Sequence, residues 1–189
     1  MLGSAVLLPN GDVLAVTGYS AGIGGGTYSS VAELYDPNLN TWSPAGTLIT
    51  LSAQSSTTLL GNGDVLVAGG LGVVAGATEP TAPLLATQLY SPSASAWTPG
   101  AELQVPLDAA SSLLLADGDV LVFGNTYNAA GTIPTWSPQL YDPVAMSWSS
   151  AAGSYSPPNI PGQMQIPGFQ FADGVVFVLT GSLNLLYWQ

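Results

Sequence analysis

The phrase "NGDVLAVTG" at 10–18 returns as "NGDVLVAGG" at 62–70 and as "DGDVLVFG" at 117–124. A weaker copy, "ADGVVFVLTG", follows at 172–181. The turn glycines Gly11, Gly63, Gly118 and Gly174 stand 52, 55 and 56 residues apart. A fixed period of this length means one supersecondary unit written several times, each copy burying its apolar face against the next. No other feature limits the fold as strongly.

Spacing inside the units separates rigid parts from variable ones. Tyr35 to Trp42, Tyr90 to Trp97 and Tyr141 to Trp148 are each seven residues apart. The stretch from Gly18 to Tyr35 spans 17 positions, Gly69 to Tyr90 spans 21, and Gly124 to Tyr141 spans 17. A fixed spacing beside a variable one indicates two strands joined by a short turn, then a loop free to change length. Each unit therefore reads as four strands. Asn-Gly or Asp-Gly makes a two-residue hairpin between the first and second. The third carries "ELYDP" or its equivalent, the proline turns the chain, and the fourth begins near "TWSP". Four-stranded units of this length predict an all-β fold, a β-propeller of antiparallel blades. The expected single domain covers 1–189, with blades at about 4–49, 55–104, 110–153 and 163–189, the last incomplete.

An incomplete last blade raises the question of closure, because open sheet edges invite pairing with other chains. Three solutions fit: a compact four-bladed ring, a homodimer in which two copies complete each other, or a segment of a longer protein. The amino terminus "MLGSAVLLPNGD" lacks a basic n-region, so no signal peptide is read. Met1 lies almost on the first repeat, and an extracellular origin stays open if the chain is a fragment.

The charge inventory narrows the chemistry. Eight aspartates and three glutamates give a net charge of −11, with no lysine, arginine, histidine or cysteine. Side-chain salt bridges cannot form. Nucleic acid is not an expected partner, since phosphate affinity comes largely from Lys and Arg, and anionic membranes are disfavoured for the same reason. No apolar run approaches the roughly 18 residues of a membrane span. General-base histidine, thiolate and Schiff-base chemistry are excluded, as are zinc, copper and haem sites of the usual kinds. Only oxygen ligands remain, and these suit calcium or magnesium.

Gly69-Gly70 after "DVLVA", together with "AELYDP" and "TW", resembles kelch repeats, in the bacterial form similar to the central domain of galactose oxidase. The resemblance covers nearly the whole chain and implies the propeller. It would also imply copper-radical oxidation, but that chemistry needs histidine ligands and a cysteine-linked tyrosine, and neither residue type occurs. Such kelch units tend to carry a basic residue after the turn glycine, where this chain has Asp12, Asp64 and Asp119. They often carry Arg and His before the first strand; the matching positions are Ser52 and Ser55, then Leu107 and Ala110.

Up-and-down topology would put Asp12, Asp64, Asp117, Asp119 and Asp173 at turns of one kind, and Asp36 and Asp142 at turns of another kind on the same face. Turn chemistry and solubility account for them. A sharper reading makes Asp117 and Asp119 a weak calcium pair, although calcium usually wants six or more oxygens. Protonating this face in acid should favour association. The Tyr35/Trp42 family reads as core between blades. The opposite face receives the long loops 19–30, 70–86 and 125–137, with Glu79 as their one acid. Tyr19, Tyr28, Tyr127 and Trp136 fall there. They either form a platform for a saccharide or protein partner or pack the loops down.

Three functions follow as expectations. The first is a non-catalytic binding or scaffolding module using the long-loop face. The second is a structural part that assembles as a homodimer or within a larger protein. The third, the weakest, is a glycosidase using Glu79 and Asp108.

Overall fold

The computed structural model describes residues 3–16, 18–22, 25–73, 80–127, 134–151, 168–170, 176–179 and 185–188. Its described residues contain strands and no helix. The first repeat supplies β1 (Ser4–Leu7), β2 (Val13–Val16), β3 (Tyr19–Gly22), β4 (Gly25–Tyr28), β5 (Val31–Asp36) and β6 (Thr41–Thr47). The second supplies β7 (Ser56–Leu59), β8 (Val65–Ala68), β9 (Leu71–Val73), β10 (Pro80–Pro83), β11 (Thr87–Ser91) and β12 (Ala96–Pro99). The third supplies β13 (Asp108–Leu114), β14 (Val120–Tyr127), β15 (Pro134–Trp136), β16 (Gln139–Asp142) and β17 (Ser147–Ser150). The last contributes β18 (Gly168–Gln170), β19 (Val176–Leu179) and β20 (Leu185–Trp188).

Each of the first three repeats folds around four antiparallel strands, in the orders β1-β2-β5-β6, β7-β8-β11-β12 and β13-β14-β16-β17, and in the third β15 adds to β14 as a fifth. The fourth shows three strands, β18-β19-β20. Tyr35 pairs with Trp42, Tyr90 with Trp97 and Tyr141 with Trp148, so the seven-residue spacing is a hairpin register. First strands sit side by side. The Ser4 and Thr57 hydroxyls are hydrogen-bonded, and Thr58 donates to Ser112 Oγ. These residues occupy nearly the same level of their strands, so the sheets stack in one sense and equivalent turns emerge together.

The second strands of the second and third sheets are buried on both faces, which is why they read as unbroken apolar runs, whereas β2 is fully buried only on the Leu14 and Val16 side. Val65 and Val67 join Leu14, Val16, Ala32 and Tyr90 in a core between the first and second sheets. Leu66 and Ala68 point the other way and join Leu107, Val120, Val122, Tyr141 and Trp148 between the second and third. The period-two geometry of one strand thus feeds two cores.

Two polar devices tie each sheet to the one before it. Trp97 Nε1 donates to Ala45 O at 2.8 Å, and Trp148 Nε1 donates to Ala101 O at 2.9 Å. Gln88, buried two residues before Tyr90, accepts the Ile49 and Thr50 N–H groups on Oε1 and donates Nε2 to Thr50 O at 2.8 Å. Gln139 repeats the clamp on Gln104 N (2.7 Å), Val105 N (3.3 Å) and Val105 O (3.0 Å). These buried amides supply hydrogen-bond partners to the half-buried backbone of the linkers between sheets.

The glycine turn differs from the expected two-residue hairpin. Gly11 N donates to Leu8 O and Leu8 N to Asp12 O, at 3.0 and 2.8 Å, and the same pair recurs at Gly63/Leu60 and Gly118/Leu115. Only the glycine has positive φ, +95°, +90° and +99° at Gly11, Gly63 and Gly118. A two-residue type I′ turn needs positive φ at both centres. The observed turn is a three-residue loop closed by a left-handed glycine bulge.

Candidate functional site

The turn end explains the aspartate that follows each glycine. Asn10 Oδ1 accepts Asp12 N, and Asn10 Nδ2 donates to Asp12 Oδ2 at 2.8 Å. Asn62 and Asp64 repeat this reciprocal pair, with the amide bond at 3.0 Å. The carboxylate therefore caps the amide that shapes the turn. Asp36 and Asp142 act at the other turn of the same end. Asp36 Oδ1 accepts the Asn38 and Leu39 N–H groups, and Asp142 Oδ1 those of Val144 and Ala145.

In the third unit Asp117 replaces the asparagine. It still accepts Asp119 N at 3.1 Å, but it has no amide to offer the Asp119 carboxylate. Partial burial, then the charges of Asp117 and Asp142, push the Asp119 carboxyl above its ordinary value. Burial likewise raises the Tyr141 hydroxyl, helped by Asp142 and Asp64. The acids of the third sheet thus sense one another, and Asp64 of the second sheet reaches the Tyr141 hydroxyl of the third.

Asp117→Asn restores the missing donor and removes one repulsive charge. A carboxyl whose folded pKa lies above its unfolded one binds more protons when folded. Stability therefore falls as pH rises from the unfolded value through the folded one, and the deficit is complete at pH 7. The substitution is expected to raise stability at pH 7 by about 0.5 kcal/mol, or roughly 1–2 °C in Tm. Denaturant titrations at pH 7 and pH 3 check it: most of the gain should disappear at the lower pH. An equal change at both pH values would contradict the charge account.

Asp117 and Asp119 lie two residues apart on one turn, and among the described residues no three acidic side chains gather as a metal would require. A hollow of about 330 Å³ opens between the first two glycine turns, lined by Pro9, Asn10, Asn62, Asp64, Pro92 and Ser93. Its amides are engaged with Asp12 and Asp64, so it offers little free hydrogen-bonding capacity.

At the opposite end, the long connections carry more regular structure than loops. They extend as two-stranded ribbons, β3 with β4, β9 with β10, and β14 with β15. Tyr19 is the register partner of Tyr28, Trp136 of Asn125, and Tyr127 of Pro134. The four aromatic candidates thus fall on two ribbons at one end of the molecule. Glu79 lies outside the described residues, as does Asp173. Asp108, the other carboxylate of the glycosidase pair, is 1 % exposed as the first residue of β13, with Asn125 as its register partner. A sugar in solution would not reach it there.

Beside Asp108 runs a buried polar seam that the sequence did not announce. Ser52, Gln54, Ser55 and Ser56 are all buried where the chain enters the second sheet. Ala110 N donates to Gln54 O at 3.0 Å and Gly70 N to Leu107 O at 2.8 Å, stitching the second sheet to the third. Ser52 and Ser55, like Leu107 and Ala110, are packing positions here.

No family model matches the chain, and no curated protein matches it. Among the described residues no helix is long and apolar enough to cross a membrane.

Proposed function

We propose that this chain is a kelch-like β-propeller that acts as a non-catalytic binding or scaffolding module, taking a protein or saccharide on the ribbon end. The observation that carries the reading is the shared direction of the three ribbons. Each repeat spends its variable segment on an extension at the same end, while the turn end keeps a fixed, hydrogen-bonded frame. Variable segments on a rigid scaffold are where binding residues accumulate. Tyr19, Tyr28, Tyr127 and Trp136 belong to these ribbons, and aromatic residues are the type that suits a sugar face or an apolar peptide side chain. The propeller reading rests on the stacked four-stranded sheets and on the kelch-type phrases. The missing histidine, cysteine, lysine and arginine favour binding over catalysis.

The test is a panel of soluble polysaccharides and immobilised peptides, followed by calorimetric titration of any ligand found. Tyr19→Ala/Tyr28→Ala and Tyr127→Ala/Trp136→Ala should each weaken binding at least 10-fold while the fold survives, as aromatic anchors do. A ligand whose affinity both double variants leave intact, or a panel without a binder, would sink the proposal.

A further inference from the structure

Among the described residues, no sheet covers the side of the first sheet that faces away from the second. In the second and third sheets the matching side carries Val65, Val67, Tyr90 and Trp97, then Val120, Val122, Tyr141 and Trp148, and the preceding sheet lies against it. The first sheet places Val13, Ala15, Tyr35 and Trp42 at those positions. Trp42 is 57 % exposed, against 9 % for Trp148. The face is nonetheless already formed. The Tyr35 and Trp42 rings meet at 5.1 Å and 40°, against 5.0 Å and 40° for Tyr90/Trp97 and 5.0 Å and 42° for Tyr141/Trp148. Rigid rings need no rearrangement to accept a partner, which lowers the entropic cost of docking.

We propose that this face docks the fourth sheet of a second copy of the chain, head to tail. The chain itself says what belongs there, because the two equivalent faces each take the sheet of the preceding repeat. The fourth sheet meets the third through β18 against β13. Its outer strand β20, with the sequence Leu185-Leu186-Tyr187-Trp188, pairs with β19 and has no strand on its other side among the described residues. A fourth sheet of one copy set against the open aromatic face of another continues the face-to-face relation that joins the first three sheets within one chain. Trp42 is the anchor, with an indole N–H to donate and a ring whose twins are half-buried at Trp97 and buried at Trp148. Glu33 stands at the clamp position of Gln88 and Gln139 and presents acceptors to partner N–H groups.

Sedimentation of the full chain from 1 to 100 µM at pH 7 tests this, with wild type, Trp42→Ser and Trp42→Phe compared. Wild type should reach twice its 19.1 kDa mass, and its tryptophan emission should shift to the blue as it associates. Trp42→Ser should weaken association at least 10-fold with an unchanged far-ultraviolet spectrum. Trp42→Phe, which keeps the ring contact and loses the N–H, should fall between. A wild type that stays monomeric overturns the proposal; blue-shifted emission in that monomer would mean that the chain's own fourth sheet covers Trp42. A dimer that neither variant weakens overturns it too.

Discussion

Gly70→Ala is expected to be among the most damaging single-methyl changes in this protein. The cost should be about 3–5 kcal/mol, with Tm lowered by roughly 10 °C or more. Two effects add. Gly70 has φ +93°, a region where an L side chain meets its own backbone at about 1–2 kcal/mol. A Cβ built there would also lie 2.4 Å from Ala53 O and 2.9 Å from Ser55 N. Both are backbone atoms, and Ala53 cannot retreat. It exchanges two hydrogen bonds with Leu71, at 2.9 and 2.7 Å, while Gly70 donates to Leu107 O at 2.8 Å and accepts from Leu84 N at 2.9 Å. Two other glycines separate the contributions. Gly118 has φ +99° with open space around its Cβ direction, so Gly118→Ala should show the backbone term alone. Gly61 has open space and no positive φ, and Gly61→Ala should be neutral or gain up to about 1 kcal/mol. Denaturant unfolding of the three variants is the measurement. If Gly70→Ala costs no more than Gly118→Ala, close backbone approach is not what selects this glycine.

The same glycine shows how far the sequence can be read. The double glycine was visible as a motif, and so were the Gly-Asp turn and the Tyr–Trp spacing, because each expresses a local rule repeated at a fixed distance. Sheet order and hairpin register followed from them. The ribbons did not, since β3 and β4 are written "YSAG" and "GGTY", glycine-rich stretches whose composition points to a loop. The turn type was misjudged because Asn-Gly serves both the two-residue hairpin and the three-residue loop with a bulge. Gln88 and Gln139 were silent for a different reason. Each finds its backbone partners 34 to 39 residues away, and a lone glutamine in a strand carries no sign of that. Their one visible trace is recurrence two positions before the tyrosine, with Glu33 as the odd member. Exposure of Trp42 was hidden as well, because burial of a repeat position depends on the neighbouring unit and not on the residue. Of the candidate site, the ends of the molecule were legible, and the partners of its side chains were not.

Gln139→Leu is expected to cost about 3 kcal/mol, which at this chain length is roughly 6–12 °C in Tm. Gln139 is 1 % exposed, and leucine fills a similar volume, so the loss comes from polar groups rather than from a cavity. Gln104 N, Val105 N and Val105 O would lose their partner in a half-buried linker between two sheets. Each loses a hydrogen bond that water replaces only in part, while the buried position 139 gains nothing polar in return. Gln104 Nε2 also donates to Trp148 O at 3.1 Å, so loosening the linker would reach the aromatic pair beside it. Gln139→Glu distinguishes this account from simple loss of packing. A carboxylate keeps the two acceptor bonds but sets an anionic oxygen against Val105 O in place of the Nε2 donor. Its folded pKa should lie above the unfolded one, because only the protonated form can donate there. The variant should therefore be near wild type in acid and lose stability as pH rises through that folded value. Thermal unfolding of both variants between pH 4 and pH 8, each referred to wild type at the same pH, provides the measurement. A Gln139→Glu deficit that does not vary with pH would mean that the side chain fills space without clamping the linker.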